Sequence, residues 1–295
     1  MNYEKPCVIA EIGCNHKGSM EIAKEMIKMA AIYCKVDCVK FQKRCIKELL
    51  TPEQYSAPHP NPVNAYGKTY GEHREFLEFT IDQHLELKEY CEKMGILYSS
   101  SVWDMTSARE IVGLDPKFIK IPSACNNNYE LLEWICANFQ GEIHISLGMT
   151  THKEEAELIR LFEAAGRIND LVIYVCTSGY PVSFNDVCLL EISRINEAYG
   201  ERIKRIGFSG HHLGIAVDVA AYTLGASVIE RHYTLDRTWK GTDHAASLEP
   251  EGLRKLKRNL LAACTALQFK EKDILDVEKE QREKLKFKRY LGEKE

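Results

Sequence analysis

Two histidines follow short apolar runs, in positions where they could hold a metal ion together. Residues 206–208 precede His211, and residues 228–229 precede His232. Each run is short enough to be a buried strand, and the Ala-rich segment 215–224 is long enough for the helix of a βαβ crossover. Parallel neighbouring strands would place both imidazoles at one sheet edge, where they suit Mn²⁺, Fe²⁺ or Zn²⁺. The alternative is that one or both are hydrogen-bonded core histidines.

A second group combines buried positive charge with small hydroxyls. Lys40 and Lys120 lie inside apolar runs, and burying a lysine without an anionic partner is costly. Hydroxyl side chains occupy comparable positions at Ser101, Ser123, Ser178 and Ser209. Together these groups indicate a site for a small, doubly anionic molecule. A Schiff-base lysine is an alternative, although an enzyme that polarises a carbonyl with a metal need not form an imine.

A carboxylate ends the first apolar run. Glu11 could be a general acid or base, an oxygen ligand, or a partner that pairs with one of the lysines.

The elements that would position these residues alternate regularly along the chain. Strand-like apolar runs occur at residues 7–12, 38–42, 96–101, 118–121, 143–146, 171–176, 206–208 and 228–229, with helical patterns between them. This alternation predicts a (β/α)₈ TIM barrel. A doubly wound sheet is the competing fold, but no GxGxxG follows the first run. Polar residues fall at or just past the carboxyl ends of the runs: Glu11, Lys40, Gln42, Ser101, Lys120, Ser123, Ser146, Ser178, Ser209, His211 and His232. In a barrel those ends converge on one mouth, where barrel enzymes carry out their chemistry.

The predicted domain organisation is one barrel domain over residues 1–269 and a short charged tail over residues 270–295. The segment 44–80 is too long for a plain βα connection, and a long loop at the catalytic mouth usually covers substrate. We therefore expect this loop to close over the site.

Composition and charge indicate which binding partners and which cellular compartment to expect. A net charge of −4 gives no indication of binding to nucleic acid or to an anionic membrane. No apolar run approaches the roughly 20 residues that span a bilayer, and the polar N-terminus does not read as a signal peptide. The 11 cysteines are scattered, without a CxxC pair. These features predict a reduced, cytoplasmic protein.

Several motifs together resemble the sialic acid synthase family, over its barrel domain. They are AEIGCNHKG at 10–18, VKFQK at 39–43, CTSGYP at 176–181 and the whole stretch 207–250. The resemblance runs from residue 7 to about residue 268 in matching order. The Ser209-Gly210-His211 form, with residues 239–244 and 67–73, is closer to animal-type synthases that use a 6-phosphorylated sugar.

The resemblance implies an activity and its cofactor. The family condenses phosphoenolpyruvate with N-acetylmannosamine, its 6-phosphate or mannose 6-phosphate, forming a nine-carbon 2-keto-3-deoxy sugar acid or its 9-phosphate and releasing phosphate. This is a C–C bond-forming transferase. The implied metal is Mn²⁺, with Mg²⁺ as the alternative, held by His211 and His232. The implied partners are these small-molecule substrates and a second copy in a homodimer.

The resemblance also assigns substrate contacts. Phosphoenolpyruvate would be held by Lys40, Ser101, Lys120, Ser123, Ser178 and Ser209, with Ser146 beside them. The sugar would face Glu11, Gln42, Tyr180 and Asp243, with Lys68 and Arg74 as partners for a sugar phosphate. Of these, Glu11, Lys40, Lys120, His211 and His232 would be catalytic.

Three features depart from the family pattern. Cys125 stands where relatives have an acidic residue, and Leu147 interrupts a Ser-Thr-Gly-Met motif. Relatives also carry a small antifreeze-like domain after the barrel, which we expect to be absent here. These departures keep two alternatives open: an inactive relative that binds phosphoenolpyruvate or sugar, and a metal-dependent pyruvate aldolase.

Overall fold

The computed structural model describes residues 3–287 and contains a closed barrel of eight parallel strands. The strands are β1 Cys7–Gly13, β2 Cys38–Lys43, β3 Leu97–Val102, β4 Phe118–Ile121, β5 Glu142–Ser146, β6 Leu171–Cys176, β7 Arg205–Gly210 and β8 Val228–His232. Each strand pairs with the next, and β8 closes the ring against β1, with Glu11 opposite His232. The predicted TIM-barrel fold is confirmed.

Helices lie between the strands and follow them along the chain. They are α1 Met20–Lys28, α2 Ile46–Leu49, α3 Pro52–Ser56, α4 Tyr70–Leu77, α5 Ile81–Met94, α6 Met105–Gly113, α7 Tyr129–Asn138, α8 His152–Ala164, α9 Glu191–Tyr199, α10 Ala216–Thr223, α11 Pro250–Ala266 and α12 Asp276–Leu285. Local signals explain several boundaries. The Ser19 hydroxyl accepts from the Ile22 amide at the start of α1, and Gly95 ends α5 in a left-handed conformation.

Tyr174 and Gly207 pack tightly against each other in the barrel. Tyr174 of β6 pairs in register with Gly207 of β7. A Cβ atom at position 207 would lie 2.6 Å from Cδ1 of Tyr174, closer than real Cβ contacts allow. The ring of Tyr174 therefore takes the space that a side chain at residue 207 would need.

The segment 44–80 is folded rather than extended. It contains α2, α3, a 3₁₀ turn at Pro62–Asn64 and α4, and both α3 and α4 begin with a capping box, at Thr51 and Thr69. The Tyr66 hydroxyl donates to the Lys240 carbonyl, and the Gly241 amide donates to Asn64 Oδ1 at 3.4 Å. These contacts join the segment to the loop after β8.

The chain divides into two compact units, one ending at Cys264 and one beginning at Thr265. In the second unit, α12 is charged on its exposed surface, and Lys270 pairs with Glu278 at 2.9 Å. The predicted domain boundary after residue 269 stays a prediction. Among residues 3–287, none of the helices combines the length and the apolar character that crossing a bilayer requires.

Candidate active site

The carboxyl ends of the strands open into a cavity of about 360 Å³. Its lining includes all the predicted site residues except one: Glu11, Lys40, Gln42, Arg74, Ser101, Lys120, Ser123, Ser146, Ser178, Tyr180, Ser209, His211, His232 and Asp243. Lys68 is exposed and does not line the cavity. The lining also includes residues that the sequence analysis did not select: Arg44, Trp103, Glu230 and Thr242.

Buried charges form the floor of the cavity. The ammonium of Lys120 lies 3.2 Å and 3.3 Å from the two carboxylate oxygens of Glu230. Lys40 Nζ lies 3.8 Å from Glu230 Oε2 and donates to Ser101 Oγ at 2.7 Å. Ser209 donates to Glu230 Oε1 at 3.1 Å. Glu230 therefore holds both lysines in place before any substrate arrives.

The same contacts set the protonation states on the floor. Burial alone would raise the pKa of the Glu230 carboxyl, but Lys120 and Lys40 outweigh it and lower that pKa to about 2. Burial lowers the pKa of Lys120 to about 8, with Glu230 opposing the shift. For Lys40, burial is outweighed by Glu11 and Glu230, which raise its pKa. Near neutral pH the floor thus holds two ammonium groups, with Lys120 closest to losing its proton.

Glu11 is paired rather than free. It forms an ion pair with Lys40, and its Oε1 accepts from Gln42 Nε2 at 2.7 Å. One of the alternatives considered for Glu11, a carboxylate paired with a lysine, is therefore what the structure contains. Arg44 also contacts Gln42, and its guanidinium stacks 4.4 Å from the centroid of the Trp103 ring.

The two predicted metal ligands face each other on the wall formed by β7 and β8. The ring centroids of His211 and His232 are 5.4 Å apart, and both side chains are buried. His211 Nδ1 lies 3.0 Å from the Thr177 carbonyl, a bond that fixes Nδ1 as donor and leaves Nε2 as a lone-pair nitrogen. Burial, and then His232, lower the pKa of His211 to about 4, so this imidazole is neutral.

The surroundings of His232 indicate that these residues can bind a metal ion. Its Nδ1 is buried without a hydrogen-bond partner and lies 3.9 Å from Asp243 Oδ2. A buried, unpartnered imidazole nitrogen beside a neutral histidine is a donor set that suits a divalent ion. Within residues 3–287 there is no group of three or more His, Cys, Asp or Glu side chains that could hold a metal.

Glu230 could have been found from the sequence, whereas Arg44 and Trp103 could not. Glu230 lies two residues before His232, and side chains at this spacing share one face of a strand. Two buried lysines also require an acidic partner. Arg44 and Trp103 come from different loops and meet only through the tertiary fold, without a motif of their own.

Comparisons with known proteins agree with this geometry. The NeuB family matches residues 26–272 of the chain. The chain belongs to the NeuB family. Human N-acetylneuraminate-9-phosphate synthase is 38% identical over 96% of this chain and 77% of its own length. The N,N'-diacetyllegionaminic acid synthase of Campylobacter jejuni is 34% identical over 86% of this chain and 75% of its own. The N-acetylneuraminic acid (sialic acid) synthetase of Leptospira borgpetersenii, solved with citrate, has a TM-score of 0.80 at 27% identity, covering 95% of this chain and 91% of that one.

One departure from the NeuB-family pattern has a structural explanation. Cys125 is buried and its thiol donates to the Trp103 carbonyl at 3.2 Å, so it does not line the cavity.

The family acts on small-molecule substrates and depends on a metal ion.

Proposed function

We propose that this NeuB-family chain condenses phosphoenolpyruvate with N-acetylmannosamine, its 6-phosphate or mannose 6-phosphate. The product is a nine-carbon 2-keto-3-deoxy sugar acid, or its 9-phosphate, and phosphate is released. The carrying observation is the pair of buried ammonium groups, Lys40 and Lys120, beside two facing imidazoles in one cavity. The names of the human and Campylobacter relatives support the same class of reaction.

The floor is suited to a small dianion. Lys40 and Lys120 supply positive charge that Glu230 already holds in position, so little reorganisation is needed when phosphate and carboxylate groups bind. Hydroxyl donors surround them at Ser101, Ser123, Ser146, Ser178 and Ser209. We assign these lysines and hydroxyls to phosphoenolpyruvate.

We assign the acceptor sugar to a second group of residues that line the cavity. Glu11, Gln42, Tyr180 and Asp243 carry carboxylate, amide and hydroxyl groups that can bind sugar hydroxyls. Arg74 Nε donates to the Tyr70 hydroxyl at 2.9 Å. The Arg74 guanidinium contacts the hydroxyl and the ring of Tyr70 rather than a carboxylate. Its positive charge is therefore available for a phosphate on the sugar.

His211 and His232 would hold the metal ion, for which we propose Mn²⁺, with Mg²⁺ as the alternative. A divalent ion bound there supplies Lewis-acid polarisation of the acceptor's aldehyde oxygen. The chain's part is to fix His211 through its bond to the Thr177 carbonyl and to keep that imidazole neutral, because burial lowers its pKa.

In the proposed reaction, charge develops on the substrates next to the two buried lysines of the floor. C3 of phosphoenolpyruvate forms a bond to C1 of the open-chain sugar as the π bond of the aldehyde C=O breaks. The former aldehyde oxygen takes up a proton, and positive charge develops at C2 as the enol double bond is used. Water adds at C2 and loses a proton, and the tetrahedral intermediate expels phosphate as its C–O bond breaks. Lys40 and Lys120 compensate the phosphate charge throughout. Glu11 is the carboxylate placed nearest Lys40 to accept or return a proton.

Acceptor preference tests the proposal. Phosphate release with phosphoenolpyruvate should be faster with the 6-phosphorylated sugar than with the free sugar. Arg74→Ala should raise the KM for the phosphorylated acceptor by about 30-fold or more, since it removes a charge-assisted contact. Lys68→Ala, a matched loss of one exposed cation, should change this KM by less than about twofold.

Other outcomes would point to other functions. Faster turnover of the free sugar would contradict a phosphorylated acceptor. Binding of phosphoenolpyruvate in calorimetry without turnover of any acceptor would favour an inactive binding relative. Condensation of pyruvate, with no phosphate released, would favour an aldolase.

We also propose a barrel-to-barrel homodimer, because the mouth must exclude bulk water from the charge that develops at C2. Sedimentation of the active enzyme should give the mass of a dimer at assay concentration. A fully active monomer would contradict this proposal.

A further inference from the structure

Tyr174 lies directly beneath one of the two lysines of the floor. The ammonium of Lys120 is 3.3 Å from the centroid of the Tyr174 ring, and both side chains are fully buried. A cation over an aromatic face is attracted by the negative charge of that face, most strongly when water is excluded. Tyr174 therefore covers the side of Lys120 that faces the barrel interior, whereas Glu230 occupies another side.

The orientation of the Tyr174 ring is fixed from below by a chain of polar contacts. Its hydroxyl lies 2.7 Å from His144 Nδ1, and the His144 ring stacks on Phe118 with 4.0 Å between centroids. His144 Nε2 lies 3.3 Å from Glu142 Oε2, which accepts from Arg205 at 2.6 Å. Each group in the chain is held by the next, so the ring cannot turn without breaking a buried hydrogen bond.

The absence of a side chain at Gly207 leaves the space that the Tyr174 ring occupies. The hydrogen bond of the Tyr174 hydroxyl and this space are compatible with one orientation of the ring, in which its face is turned to Lys120.

We propose that Tyr174 is a positioning residue, whose ring face holds the Lys120 ammonium in its charged form and aimed at phosphoenolpyruvate. This inference rests on the proposed function. The ring stabilises the Lys120 ammonium through its charge distribution as well as by filling volume.

The groups that face Lys120 define how the ring would be detected. They are Glu230 on β8, Lys40 on β2, and Cys176 and Tyr174 on β6. Burial lowers the pKa of Lys120 and Glu230 opposes this shift, with a resulting pKa of about 8. The ring face stabilises the ammonium, so weakening that face should lower this pKa further. Lys120 would then lose its charge at a lower pH, and phosphoenolpyruvate would bind less tightly there.

A pair of variants with matched shape separates charge from volume. Tyr174→Phe keeps the ring face and removes only the hydroxyl, whereas replacement of Tyr174 by trifluorophenylalanine keeps the shape and withdraws charge from the face. The dissociation constant of phosphoenolpyruvate is measured by calorimetry from about pH 6 to about pH 9, a window that contains the pKa of Lys120. Circular dichroism checks that each variant is folded.

In the wild type and the Phe variant, affinity should fall with rising pH through a midpoint of about 8. In the fluorinated variant the midpoint should lie about one pH unit lower, so binding at the original midpoint is several-fold weaker, with little change at acid pH. Equal midpoints in the two variants would overturn the role of the ring face. If those equal midpoints lay below the wild-type midpoint, the effect would belong to the hydroxyl, which both variants lack. Failure of the wild type to bind phosphoenolpyruvate at any pH would instead overturn the proposed function.

Discussion

Replacing His211 or His232 by alanine should lower the rate of condensation by about 1,000-fold or more, because polarisation of a carbonyl by a metal contributes several kcal/mol to catalysis. Each change removes one of the two imidazoles that line the cavity wall. Neither histidine belongs to the apolar core of the barrel, so the fold should survive. Phosphate release measures the rate, and metal analysis of the purified protein should show that bound metal falls in parallel.

His152 provides the control for these variants. It is an exposed histidine at the start of α8 with no predicted role in the site. His152→Ala should therefore leave both the rate and the metal content unchanged. Removal of metal from the wild-type protein by a chelator should reproduce the defect, and added Mn²⁺ should reverse it. Full activity of His211→Ala in chelator-treated buffer would show that the histidine pair is not the metal site.

Replacing Glu230 by alanine should destabilise the fold by about 3–5 kcal/mol, since it leaves two buried ammonium groups without their shared carboxylate. Lys40 would keep Glu11, whereas Lys120 would keep only the aromatic face of Tyr174. Urea unfolding at neutral pH measures the free energy of unfolding.

The surface pair of Lys24 and Glu86 is the matched control, because it joins the same residue types with both side chains partly exposed. Glu86→Ala should produce no comparable loss of stability. The pKa of Glu230 is about 2 in the folded protein, below its ordinary value of 4.5. Its contribution is therefore complete above about pH 4.5 and is lost as the pH falls toward 2. A difference between wild type and Glu230→Ala that did not shrink in acid would contradict this ion-pair account.

The barrel could be predicted from the sequence because each element carries its own local signal. Apolar runs mark the strands, and caps such as Ser19 and Gly95 mark helix ends. The length of the segment 44–80 predicts a covering loop, whereas the capping boxes at Thr51 and Thr69 are local signals for its short helices. Length alone does not distinguish an extended loop from a folded segment.

Site residues that lie at the ends of strands could be predicted from the sequence. Site residues that come together only when the barrel closes could not. Lys40 and Lys120 stand out because charge is rare inside apolar runs. Tyr174 does not stand out, since a tyrosine in an apolar strand is ordinary, and its contact with Lys120 joins β6 to β4, which are not neighbours in the barrel. Lys68 and Arg74 are both predicted as partners for a sugar phosphate, but of the two Arg74 lines the cavity and Lys68 is exposed outside it.

The contacts that join the segment 44–80 to the loop after β8 have a consequence for how such an enzyme can change its acceptor. Tyr66 and Asn64 bond to the backbone of Lys240 and Gly241, and Thr242 and Asp243 follow immediately in the cavity wall. A substitution in one loop should therefore also move the side chains presented by the other. We expect a change of acceptor to need matching substitutions in both loops, with no change at Lys40 and Lys120 in the strands beneath them.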